Sequence, residues 1–451
     1  MYFLLFLLGL VISLASIPNP LIYLPLGILI GFVPLFIFNQ RFSGWRSFLI
    51  NIIFFELFAV CLLVPLDAGN LVYVFPATLF LIVILSIVAF THALFLSFAG
   101  SLSGKYGWYR SPLFFGATSC MLQYFLSYIP FGITFPVETA LAPFPIMIQS
   151  ARVFGPYFVI FLIIFTNALL ANAFVKNDKR TWTISLSILL LVHSVNFGYG
   201  CLSLNSSQDP GKPVNIAVIQ MNITSKDYEL KERNKFFEKI MDKKLISLSM
   251  DALDKRPDLI IWPELSGDFI LQNDEYLSCL HKNITSKGAE LLIGTTYIDY
   301  CENKKKYNIA FILKTDGDMT EPYRKTKIFP FFETQWLSRG NEYVTLPSST
   351  ALKNIGCMIC LESIYPQIAR GLARSGAKAL VCISTDTAFG NSMIPYIHST
   401  SMVFRAIENN MYGIHVGNTG PSIICDNMGR IITQIPYGKT AYANAVVYPI
   451  K

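Results

Sequence analysis

The sequence predicts a multi-span α-helical membrane domain followed by an α/β domain, and three observations carry this reading. Hydrophobic residues make up 53% of the 451-residue chain and charged residues only 14%, a balance outside that of ordinary soluble domains. The apolar excess lies before residue 204, in runs of about 20 residues, the length that crosses the hydrocarbon of a bilayer. From residue 212 the composition turns charged, and short β-branched runs alternate with amphipathic stretches. The expected organisation is a transmembrane domain over 1–204, a linker over 205–213 and an α/β domain over 214–451. The linker ends in the breaker string Asp209-Pro210-Gly211-Lys212-Pro213.

Apolar runs at 2–17, 21–38, 47–65, 72–98, 112–130, 146–174 and 183–203 suggest seven spans. The first run lacks a basic segment before it and continues through Ile17-Pro18-Asn19-Pro20 into the second, so a retained helix is expected rather than a cleaved signal. Arg41 and Arg46, Lys105 and Arg110, and Lys176, Lys179 and Arg180 fall in alternate loops, while the other loops carry Asp67 and Glu138. Basic loops stay cytoplasmic, so the N-terminus is expected inside and the domain after the seventh span outside the cytoplasm. The least apolar run, 112–130, is the weak point of that count. Glu56, Gln123, Gln149 and Arg152 are costly in lipid unless they bond between helices or face a substrate cavity.

The net charge of +7 does not point to nucleic acid, because no basic stripe with interleaved aromatics accompanies it. The nine cysteines include one CxxC, Cys357 to Cys360, with neither a second pair nor a nearby histidine, so no metal site is expected. Whether Cys279 and Cys301 pair is left open.

In the second domain, 215–220, 258–263, 291–297, 355–360 and 379–384 read as strands. Helices are expected over 228–254, 367–375 and 397–410. The run 307–313 followed by Thr315-Asp316-Gly317-Asp318 adds a hairpin to the alternation.

Several of these runs end in a reactive residue, as α/β folds commonly arrange at their sites. Leu259-Ile260-Ile261-Trp262-Pro263 leads to Glu264, a carboxylate in apolar surroundings that raise its pKa toward that of a general base. Lys325 precedes a second apolar run and can face a developing oxyanion. The strand over 355–360 ends in Cys360, whose thiolate is a strong nucleophile and whose pKa a nearby lysine lowers. Each residue alone has a plainer explanation: a capping glutamate, a surface lysine, a buried thiol. Their joint occurrence in this order, each at the edge of an apolar run, is what carries the reading.

The motifs resemble those of the nitrilase superfamily, and within it the bacterial apolipoprotein N-acyltransferase family. Trp262-Pro263-Glu264 is similar to the general-base motif. Tyr323-x-Lys325 followed by 328–333 is similar to the lysine motif, and Ile359-Cys360-Leu361-Glu362 to the nucleophile motif. The series continues through 384–390, Pro395, His398, Arg405, Glu408 and 418–420, and in the membrane half through 145–155. The resemblance implies an αββα layered sandwich, no cofactor, and a ping-pong acyl transfer in a bacterial inner membrane. The acyl chain passes from a phospholipid through a Cys360 thioester to the amine of a diacylated lipoprotein. It also implies that Glu264 is the base, that Lys325 and the N–H after Cys360 hold the oxyanion, and that Glu333, Leu361 and Glu362 support the site. Tyr228 falls near a loop that abuts the acyl chain in that family, and the chain is expected to be monomeric.

This sequence departs from the family pattern at Phe332, Leu361, Thr385 and Ala388, in a short stretch between Glu333 and Cys360, and in stopping at Lys451 without a final membrane helix. These departures bear on the substrate more than on the triad. The alternative is a membrane-tethered amidase or divergent acyltransferase using the same triad on a different amine or amide; a non-catalytic binding protein fits the intact triad less well.

Overall fold

The computed structural model describes residues 2–64, 71–106, 111–129, 135–206, 211–224, 227, 235–329 and 333–449. The chain forms two compact units. One comprises Met1–Leu66, Phe75–Ser206 and Ser392–Ile397, and the other comprises Asp67–Val74, Ser207–Asn391 and His398–Lys451.

The first unit is helical and is that of a membrane protein. Trp45–Leu63, Ile82–Leu102, Pro156–Lys176 and Lys179–Asn205 are long and apolar enough to cross a bilayer. Tyr2–Ser16 is shorter, and Ser111–Tyr128 is an 18-residue helix. Two apolar runs that read as continuous are broken. The run 146–174 stops at Gly155, whose φ of 71° is open to glycine, and restarts at Pro156, whose fixed φ suits a first helical turn. Hydropathy does not register such a break, because glycine and proline interrupt a helix without adding polarity.

The run 21–38 likewise divides into Pro25–Gly27, Ile28–Gly31 and Val33–Arg41. There the Asn167 side chain replaces a backbone bond, donating to the Ile28 carbonyl at 2.8 Å and accepting from the Phe32 N–H at 2.9 Å. Polar residues elsewhere in this unit also bond between helices. Asn39 and Asn51 exchange amide bonds at 2.7 and 2.8 Å, and Ser86 donates to Glu56 at 2.8 Å. Gln123 donates to the Phe135 carbonyl at 3.0 Å. Asn177 in the left-handed region ends one long helix, and Asp178 caps the next by accepting from the Thr181 N–H at 2.9 Å.

Among the described residues the second unit holds twelve strands: β1 (Val214–Gln220), β2 (Leu259–Ile261), β3 (Glu290–Asp299), β4 (Lys305–Leu313), β5 (Tyr323–Arg324), β6 (Leu346–Pro347), β7 (Asn354–Ile359), β8 (Ala379–Ser384), β9 (Tyr412–Gly417), β10 (Ser422–Cys425), β11 (Ile431–Ile435) and β12 (Ala441–Val447). They form two six-stranded sheets, ordered β12-β1-β2-β3-β4-β5 and β11-β10-β9-β8-β7-β6. In the first sheet, alternate residues Ala217, Ile219, Ile260, Leu291 and Ile309 pack with Leu245, Leu277 and Leu280 of flanking helices. The opposite parity, including Ile216, Leu259 and Leu292, is equally buried. At Gly294 on that second face, an added Cβ would meet Ile383 of β8, so the two sheets lie face to face there. Pro366–Arg374 covers β7 and β8 from outside, and Ile394–Asn409 lies against Gly413 of β9. The layers run helix, sheet, sheet, helix.

Candidate active site

Glu264 sits just beyond the end of β2. Pairing continues one residue past the strand, with the Trp262 N–H donating to the Leu292 carbonyl at 2.9 Å, and the indole N–H donates to Ser249 at 2.8 Å. Anchored by that fully buried ring, the chain turns through Leu265 at φ 52°, and Ser266 N–H donates to Gly294 at 2.9 Å. This leaves the Glu264 carboxylate buried, accepting from Asn308 Nδ2 of β4 at 2.7 Å and from the Thr385 N–H after β8 at 2.9 Å. Burial pushes its carboxyl above the ordinary glutamate range, while the Lys325 ammonium opposes the shift and Glu333 adds to it.

Lys325 follows β5 and is pinned through its backbone on both sides. Its N–H donates to the Asn308 carbonyl at 2.9 Å, and its own carbonyl accepts from Gly340 at 2.8 Å. The side chain is 1% exposed, and its Nζ lies 2.7 Å from Glu333 Oε1 and 3.4 Å from Glu264 Oε1. Burial favours a neutral amine, but the Glu333 and Glu264 carboxylates override it and hold the ammonium well above the usual lysine range.

Cys360 follows β7 in the left-handed region, at φ 54°, and opens a 3-10 turn over Cys360–Ile364. A cysteine rarely takes this conformation, so the surrounding bonds must hold it there. The Glu362 carboxylate, wholly buried, accepts from the Ile359 N–H at 2.8 Å and from Thr326 N–H, Thr326 Oγ1 and Lys327 N–H at 2.7, 2.6 and 3.0 Å. Tyr323 donates to the same carboxylate at 2.9 Å. Glu362 thus ties the Cys360 turn to the lysine segment. Burial drives the Cys360 thiol well above its ordinary pKa; Glu264 adds to this, and Lys325 opposes it without prevailing. The lysine acts in the expected direction, but burial outweighs it.

Glu264, Lys325, Cys360, Glu333 and Glu362 therefore converge, although remote in sequence. Glu333 also accepts from the Phe329 N–H at 2.6 Å, which aims its other oxygen at Lys325. Leu361 is half-buried directly after the thiol, and Tyr228 lies outside the described residues. Cys357 is buried within β7, and it, Cys279 and Cys301 are free thiols. Asn308 was not singled out in the sequence, although a lone amide inside the apolar strand 307–313 is a signal of a buried polar role. Behind Cys360, the side chains of Cys382, His398 and His415 gather within 4.8 Å, the spacing of a metal-binding trio. His398 already spends both ring nitrogens on protein oxygens, 2.8 Å from Asp386 and 2.7 Å from the Cys360 carbonyl.

An acid-base carboxylate, a buried cation and a thiol at one point suit acyl transfer through a covalent intermediate. The apolipoprotein N-acyltransferase of Geobacter metallireducens is 29% identical over 326 residues, which cover 67% of this chain and 61% of that protein's own length. The apolipoprotein N-acyltransferase of Aquifex aeolicus is 26% identical over 441 residues, covering 92% of this chain and 90% of that one. Among solved structures, the nitrilase superfamily member Nit3 of Saccharomyces cerevisiae aligns with a TM-score of 0.44 at 19% identity, covering 54% of this chain and 93% of that one. Residues 215–446, just over half of the chain, match the carbon-nitrogen hydrolase family, and the chain belongs to that family.

Proposed function

We propose that this protein is an apolipoprotein N-acyltransferase that moves an acyl chain from a phospholipid to the N-terminal amine of diacylglyceryl-cysteine in lipoproteins. The observation that carries the reading is the Lys325 ammonium, buried and shared by Glu264 and Glu333 beside Cys360. The likeness to acyltransferases over most of the chain and the four membrane-length helices among the described residues support the lipid donor.

In this mechanism Glu264 takes the proton of the Cys360 thiol as sulfur attacks the sn-1 ester carbonyl. The oxyanion that forms is held by the Lys325 ammonium and the Leu361 N–H. Collapse breaks the ester C–O bond, Glu264 returns the proton to the departing lysophospholipid oxygen, and a Cys360 thioester remains. The acceptor amine then attacks the thioester and gives its proton to Glu264. The C–S bond breaks, the amide leaves, and sulfur recovers its proton. Lys325 stays charged throughout, because the paired carboxylates hold its proton. The alternation of basic loops supports a catalytic unit on the extracytoplasmic side of the inner membrane, where lipoprotein N-termini are presented.

The test is incubation of the full chain in detergent with acyl-labelled phospholipid, followed by a diacylated lipopeptide. A thioester label on Cys360, absent from Cys360→Ala and chased onto the peptide amine, is the expected result. Equal labelling of both proteins removes Cys360 from the mechanism. Hydrolysis of a soluble amide without phospholipid, and no third acyl chain on the peptide, points instead to a membrane-tethered amidase.

A further inference from the structure

The carbonyl of Cys360 faces a donor that the acyl-transfer chemistry does not use. His398 Nε2 lies 2.7 Å from that oxygen, and the Cys382 thiol donates to it at 3.5 Å. On the other side of the imidazole, Nδ1 lies 2.8 Å from Asp386 Oδ1, which also accepts from Ser384 Oγ at 3.0 Å. A carbonyl and a carboxylate can only accept, so each ring nitrogen carries a hydrogen and the ring is an imidazolium.

The peptide unit between Cys360 and Leu361 is planar, and no cis bond occurs among the described residues. In a trans peptide the carbonyl and the N–H point in opposite directions. A charged donor that fixes the Cys360 oxygen therefore also fixes where the Leu361 N–H points. The need for such a hold is local, because Cys360 sits at φ 54°, where its own backbone preference would rotate the peptide away.

We infer that His398, held by Asp386, is a positioning residue that aims the Leu361 N–H at the acyl oxyanion. This rests on the acyl-transfer reading above. The titratable groups facing the ring are Asp386, Cys382 and His415, whose ring centroid is 4.9 Å away, and the Ser384 hydroxyl lies 3.4 Å from Nδ1. Burial drives His415 down to about 3, so it is neutral, while Asp386 overcomes burial and keeps His398 charged well above the usual histidine range.

Two reactions at the same sulfur separate aim from integrity. Alkylation of Cys360 by iodoacetamide forms a C–S bond and releases iodide without any oxyanion. Acylation by a p-nitrophenyl fatty acyl ester passes through one, and is read as the burst of p-nitrophenolate. His398→Leu is expected to lower the acylation rate constant by about 100-fold, the effect of losing one oxyanion donor, while alkylation stays within about threefold. His398→Gln, whose amide can still donate to the Cys360 oxygen, is expected to recover most of the burst. Asp386→Asn is expected to lose acylation progressively as pH rises, because the amide lets the ring become neutral with its hydrogen on Nδ1.

Equal loss of both reactions in His398→Leu, no loss of acylation, or a Gln variant no better than Leu overturns the inference. If His398→Leu does not fold, an Asp386→Asn pH profile parallel to the parent's overturns it equally. A parent protein that is alkylated but gives no burst instead defeats the acyl-transfer reading.

Discussion

Glu362 Oε1 accepts both the N–H and the hydroxyl of Thr326, at 2.7 and 2.6 Å, so the residue after the lysine is fastened to a residue two beyond the cysteine. One carboxylate thereby sets the separation of two reactive groups that lie on different sheets. Glu362→Gln keeps the shape but turns an acceptor into a donor facing buried N–H groups. We expect a stability loss of about 3 kcal/mol, the cost of buried donors left without partners, and thioester formation reduced by more than 10-fold. Thermal unfolding in detergent and burst amplitude measure the two effects.

Glu333 competes with Glu264 for the same ammonium and makes the shorter bond, 2.7 against 3.4 Å. Glu333→Gln leaves Lys325 to pair with Glu264 alone, which occupies the base and lowers the lysine's pKa. The expected outcome is a fall of about 100-fold in kcat with little change in KM, the pattern of an interaction felt in the transition state. Steady-state kinetics with a phospholipid donor decides it.

The pH profile follows from the two buried groups. In the proposed mechanism Glu264 must be ionised to take the thiol proton, and its pKa lies above the ordinary glutamate value, so activity is expected to fall as pH drops through that raised value. Lys325 is held well above the usual lysine range, so its deprotonation removes no activity near neutrality. Asn308→Ala deletes a hydrogen bond that favours the carboxylate, and the acid limb moves to higher pH. An unchanged limb in initial-rate measurements would detach Asn308 from the base.

Gly294 allows the two sheets to meet behind the base. A Cβ there would stand 2.9 Å from both the Glu264 Cα and the Pro263 carbonyl. Gly294→Ala is expected to cost about 1–3 kcal/mol through overpacking and to slow acylation about 10-fold by shifting Glu264. Unfolding midpoints and acylation rates report the two effects separately.

Much of this site can be read in the sequence, because each reactive residue follows an apolar run that the fold turns into a buried strand. Leu259–Ile261 and Asn354–Ile359 carry Glu264 and Cys360 at their ends, as the runs suggest. The Asp386–His398 contact is less accessible, since the two residues lie on a 3-10 turn and a helix whose meeting depends on tertiary packing. The upward push on the Cys360 thiol is hidden for a different reason. It depends on burial outweighing a neighbouring cation, a balance of magnitudes that residue order does not contain. The helix break at Gly155 could have been read from the Gly-Pro pair, but the apolar count passes over it.

The Asn167 wedge has a consequence for biogenesis. The Ile28 carbonyl and Phe32 N–H that it separates are made more than 130 residues before it, which at rates of about 5–20 residues per second is roughly 7 to 30 seconds of translation. Until then those two groups can close an ordinary turn on each other. The clasp on the early segment is therefore completed only once Asn167 has been made.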